Sequence, residues 1–178
     1  MIEDYISSKQ KVDEYSGFSG FDLDKMINMI VYVTEKTKGV FTTKLNKLLW
    51  YIDFLNFKEC SKSISGSNYV HLPLGPVPDD YKWIIATAIE DGLIEEEEVI
   101  LSPESAGIKY TSSVSAEESF FSEKEKKIMD FVIDYFKDYN CSQIKEKSHE
   151  EKAYRETKNN EKISYKYAAS LSVSLTGN

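Results

Sequence analysis

The chain has 178 residues, with 30 Asp and Glu against 22 Lys and Arg, for a net charge of −8. With 12 Tyr, 9 Phe and 2 Trp it carries too much apolar area to stay disordered, and its length suits one domain around one sizeable core. No apolar run approaches the roughly 18–20 residues that span a bilayer. The start, Met1-Ile2-Glu3-Asp4-Tyr5, lacks the basic and apolar regions of a signal peptide. Two cysteines, Cys60 and Cys141, make no disulfide framework, so the expected location is the cytoplasm with reduced thiols.

Residues 1–21 mix charge, Ser, Gly and Tyr without a period and read as a flexible N-terminal arm. Asp22 is the expected N-cap of a helix to about Lys38, with Leu23, Met26, Ile27, Ile30 and Val33 at helical spacing and Gly39 at its end. A second helix follows Thr42 and Thr43 and ends near Glu59. Its stripe is Leu45, Leu48, Leu49, Ile52 and Leu55, with Lys44, Lys47 and Asp53 turned away. From Ser63 to Pro78 the chain is uncharged, and Pro73, Pro76 and Pro78 forbid a helix. Short strands are expected at Ile64 and Tyr69–Leu72.

A third helix spans about Asp79 to Asp91. Leu93–Leu101 and Ile108–Ser112 read as an edge or partly exposed β-hairpin, with Glu95–Glu98 breaking the alternation. Residues 78–104 carry only Lys82 against nine acids, so this one stretch equals the net charge of the chain. Ser122 and Glu125 form a capping box for a helix striped by Ile128, Val132, Tyr135, Phe136 and Tyr139. Ser142 is the expected cap of a short helix, and Ser148 with Glu151 the capping box of another. That places His149 in a first turn, where the helix dipole disfavours its charge. A last short helix covers about Ser164–Leu171, and residues 174–178 form a tail.

No catalytic constellation stands out. His71, His149, Cys60 and Cys141 share no zinc-ligand spacing, no Gly-rich phosphate cradle is present, and no cofactor is implied. Three segments remain unusual. Gly75-Pro76-Val77-Pro78 fixes a stiff extended path. Trp50 and Tyr51 sit beside the stripe of the second helix, as core or as partner anchors. Ser148-His149-Glu150 opens a helix.

These segments carry a resemblance. Lys44–Tyr51 with Lys47, then Leu74–Pro78 with Tyr81, then Ser148-His149-Glu150 with Tyr154, then Ile163–Ala168 with Tyr167 resemble, in order and spacing, the Panacea domain, the SocA-like antitoxin family associated with phages. The similarity covers residues 22–173. Trp50 stands where the family more often has Tyr or Phe. The resemblance implies a predominantly α-helical α+β domain, compact, with short strands and a β-hairpin, and no catalytic residues. It implies a bacterial type II toxin–antitoxin role: neutralising a protein toxin encoded by the adjacent gene through direct binding. Some members instead hand the toxin to a protease, which makes a protease adaptor one alternative.

The other alternative is a winged-helix-like nucleic-acid-binding regulator, with residues 79–91 as recognition helix and 93–112 as wing. The acids there would repel phosphate. The expected partner contact lies around Tyr69–Tyr81, that is Tyr69, Gly75, Pro76, Val77, Pro78 and Tyr81, with Trp50 and Tyr51 as anchors. An uncharged, Pro-stiffened strip costs little entropy to present.

Overall fold

A computed structural model of the chain describes residues 11–176. The first helix, α1 (Leu23–Thr37), is capped by the Asp22 carboxylate, which accepts the Lys25 N–H at 2.9 Å. Lys38 takes the left-handed conformation that closes it, and the two-residue strand β1 (Val40–Phe41) leads straight into α2 (Thr42–Cys60). Strands β2 (Tyr69–Leu72) and β3 (Gly75–Pro78) form an antiparallel hairpin in which Val70 faces Val77 and His71 faces Pro76. Ile64 stays outside it. Pro76 and Pro78 are tolerated because they lie on β3, the outer strand of this ribbon, whereas the far edge of β2 is bonded to residues 160–163.

Helix α3 (Tyr81–Glu90) follows, then β4 (Ile94–Ser102) and β5 (Ser105–Ser112), joined by the Pro103-Glu104 turn. β5 lies between β1 and β4 in a three-stranded sheet. Helix, strand, helix, helix, strand, strand in that pairing is the order of a winged helix, with β2–β3 inserted between α2 and α3. The expected capping box of α4 (Glu123–Tyr135) is present: Ser122 and Glu125 exchange bonds at 3.2 and 2.9 Å. α5 (Cys141–Glu150), α6 (Lys152–Arg155) and a 3-10 segment (Tyr165–Ser170) complete a predominantly helical α+β fold. Among the described residues, no helix is long and apolar enough to cross a membrane.

The core is built around α2. Every residue from Leu45 to Asn56 is buried, because α1, α4, α5, β3 and the 3-10 segment all pack on it. An amphipathic reading of this helix is therefore corrected: Lys47 and Asp53, expected to face away from the stripe, lie inside. Asp53 accepts from Ile64 N–H, Ser65 N–H, Ser65 Oγ and Tyr69 Oη at 2.7, 3.0, 2.5 and 2.8 Å, which fixes residues 63–69 against the helix. Burial pushes its carboxyl upward, and those four donors pull it back.

Three further expectations need correction. Within the proposed arm 1–21, residues 13–20 are packed: Ser16 is buried, Ser63 Oγ donates to Ser16 O at 2.6 Å, and the Tyr165 N–H donates to Glu14 O at 2.9 Å. Gly17, at φ +64°, presses so closely on Ser63 that a Cβ would sit 2.6 Å from it. Lys11 and Val12 of that arm are exposed, and residues 1–10 lie outside the described residues. The cap of α5 is Asn140, not Ser142, and it forms a capping box with Gln143. Ser148 and His149 end α5 rather than start a helix, because Glu151 is the break between α5 and α6.

Candidate functional site

The motif residues converge on the β2–β3 hairpin. Lys47 reaches across from α2 and its Nζ donates to Pro76 O at 2.8 Å. The residue is 0% exposed. Gly75 makes this possible: at φ +103°, a Cβ there would lie 2.4 Å from Lys47 Cε and 2.6 Å from Ser148 Oγ. Ser148 Oγ donates back to Lys145 O at 2.7 Å. Lys, Gly-Pro and Ser, distant in sequence, thus form one interlocked unit. Burial pulls the Lys47 ammonium down to about 7, with the Cys141 thiol a weaker opposing influence.

Aromatic rings close the other side. His71 and His149 both stack on Tyr154, at 3.7 and 4.1 Å between centroids and 20° and 2° between planes. Two rings parallel to the same ring at such spacing lie on opposite faces, so Tyr154 is sandwiched. Tyr154 Oη donates to Leu72 O at 3.1 Å, and His71 Nδ1 is 2.9 Å from Thr157 Oγ1. Burial holds both imidazoles below their ordinary range; for His149 the Lys145 and Lys47 ammoniums add to it. The C-terminal dipole end of α5, which favours a charged imidazole, is outweighed by this burial.

Trp50, Tyr51 and Tyr69, expected as partner contacts, are fully enclosed. Trp50 packs against Tyr51 and Phe54 at 4.7 and 5.0 Å. Tyr51 Oη donates to Glu151 at 3.2 Å, and Tyr69 Oη bonds Asp53 and Leu49 O. Gly75, Pro76, Val77 and Pro78 are buried as well. An enclosed side chain cannot meet a partner without opening the core, so the expected contact strip is corrected to an internal one. Of that set Tyr81 alone is half-buried, on the same surface as the exposed Trp83. Glu150 is exposed, and Tyr167 half-buried on the 3-10 segment, apart from the hairpin cluster.

From sequence Glu151 is expected only as a cap, and its buried bonding was missed. It is buried, accepts from Tyr51, the Ser172 N–H at 3.0 Å and the Ser172 hydroxyl, and ties α2 to the C-terminal segment. Only its place beside a predicted helix start hinted at a capping role. A deeply buried amine near neutrality can serve a base or a Schiff base, but Lys47 is fully buried and one of its N–H groups is committed to Pro76 O. Among the described residues, no group of three or more His, Cys, Asp or Glu could hold a metal ion. The arrangement is architectural: it locks a proline-stiffened hairpin onto the central helix.

The family model described as antitoxin SocA-like, Panacea domain, matches residues 45–155, from the first buried turn of α2 to the end of α6. No curated protein and no solved structure matches the chain. The interlocked residues Lys47, Gly75, Pro76, Ser148, His149 and Tyr154 all fall within the matched span, and the chain belongs to the SocA-like antitoxin Panacea domain family.

Proposed function

We propose that this chain is the antitoxin of a type II toxin–antitoxin pair, and that residues 22–173 neutralise a toxin encoded by the neighbouring gene through direct protein–protein binding. The observation that carries this reading is the family match over residues 45–155. The enclosed motif cluster supports a binding rather than a catalytic role, since its one strongly perturbed amine is sealed from any substrate. The encounter belongs in the bacterial cytoplasm, where Cys60 and Cys141 remain free thiols. Co-expression with the neighbouring gene product tests the reading: growth is arrested by that product alone and restored by this chain. A product that is harmless alone, or toxic regardless of this chain, sinks it.

The winged-helix order favours a second reading, a nucleic-acid-binding regulator. Charge opposes it: Asp79 and Asp80 precede α3, and Glu95–Glu98 stand exposed on β4 where a wing would meet phosphate. A gel shift with upstream DNA at low salt that vanishes as salt rises would revive this reading. Handing the toxin to a protease is compatible with the antitoxin role, and a shortened toxin half-life in the presence of this chain is its signature.

A further inference from the structure

One face of the molecule is open. A groove of about 780 Å³ runs where β1 and β5 meet α4 and the start of α5. Its floor is apolar, with Val40 and Phe41 from β1, Ile108 from β5 and Ile133 from α4. Leu101, at the hairpin end, is 58% exposed and extends that floor. A monomer seldom leaves contiguous apolar surface of this kind uncovered unless something binds there.

The charge around it is inverted relative to the rest of the chain. Lys36, Lys44 and Lys137 line the groove, and among the described residues no carboxylate does, although the chain carries −8 overall. Lys44 is held in the wall by the carbonyls of Lys137 and Tyr139 at 3.2 and 2.6 Å. Lys137 pairs with Asp134 at 3.0 Å, but both are largely exposed, and such a pair exchanges at little cost. Two helix starts also open here, Thr42–Lys44 of α2 and Cys141–Ser142 of α5. Neither first turn holds an acid, and Phe41, the N-cap of α2, supplies no side-chain acceptor. Both positive dipole ends therefore add to the lysines.

We propose that this groove docks an acidic amphipathic segment of the partner protein, with apolar side chains on the Val40–Ile108 floor and carboxylates against Lys36, Lys44 and Lys137. The identity of the partner as a toxin rests on the antitoxin reading; the chemistry of the groove does not.

Two native thiols report on it. Cys141 lines the groove, while Cys60 lies on another surface beside Asn56 and Lys62. In the complex with the neighbour-encoded protein, alkylation of Cys141 by iodoacetamide slows at least about tenfold and that of Cys60 is unchanged. Undiminished labelling of Cys141 in a complex that still forms overturns the groove and leaves the antitoxin reading standing. A second arm uses a synthetic helical peptide of about 18 residues, leucines on one face and glutamates on the other, and its lysine counterpart. The glutamate peptide protects Cys141, and Lys36→Glu with Lys137→Glu weakens that binding at least about tenfold. Protection by the lysine peptide, or none by the glutamate peptide, overturns the proposal. A neighbour product that neither binds nor harms cells, with the glutamate peptide still protecting, sinks the antitoxin reading alone.

Discussion

Lys44 and Lys47 sit one turn apart on α2 and live in opposite settings. Lys47 is sealed inside, over the Gly75-Pro76 backbone, among residues that give the family its recognisable pattern. Lys44 lines an open groove whose floor, Val40, Phe41 and Ile108, belongs to none of those motifs. On the docking proposal, the enclosed motif contacts and the floor that meets a partner are then different places. The motif specifies how the hairpin is locked to the central helix, and the surface beside it is, on that proposal, what meets the partner.

The largest expected effect is on the enclosed side. Trp50→Ala empties a site with no solvent access and lowers stability by about 3–5 kcal/mol in urea unfolding, while the molecules that remain folded bind their partner normally. Weakened binding with an unchanged unfolding midpoint would place the contact surface inside the motif and break the comparison. Next comes Gly75→Ala. A left-handed φ and a Cβ driven into Lys47 and Ser148 cost about 2–4 kcal/mol by the same measurement. A loss below about 0.5 kcal/mol would mean the hairpin is not locked as described.

Lys47→Met sharpens the electrostatic side. The unfolded chain keeps this proton to about 10.5, the folded chain releases it near 7, so between those values the unfolded state binds more protons and stability rises with pH. The wild type therefore gains up to about 1.4 kcal/mol per pH unit over Lys47→Met between pH 7 and 9, and nothing below pH 7. Parallel pH profiles for the two proteins would show the amine to be charged in place. His71 and His149 act in a lower window. Both are held below the ordinary 6.5, so acid protonates the unfolded chain first and stability falls as pH drops through 6.5; His149→Gln flattens that fall. The smallest effect is expected in the groove, where Lys36→Glu with Lys137→Glu moves the unfolding free energy by less than about 0.5 kcal/mol.

Local signals were readable wherever a residue bonds its near neighbours. Asp22 and Ser122 cap the helices their side chains announce, and the β4–β5 hairpin appears where expected, with its second strand starting at Ser105 rather than Ile108. The Panacea motifs were legible too, in their order along the chain. What they build was not. Lys47 meets a carbonyl 29 positions away and Tyr51 a carboxylate 100 away, and nothing in helical periodicity says that a polar residue has such a partner waiting. The same blindness sent Trp50 and Tyr69 to the surface and let residues 13–20 seem loose. Ser142 lost the capping role to Asn140 because Gln143, not a later acid, completes the reciprocal pair.

The glutamates of β4 carry one more consequence. β4 forms the outer strand of its sheet, bonded on one side to β5, and Glu95–Glu98 are exposed along it. A row of unpaired backbone groups invites a strand from another molecule, and four like charges repel the approach of an identical one. Replacing Glu95–Glu98 by Gln is therefore expected to promote edge-to-edge association, read as a rise in scattering mass with concentration.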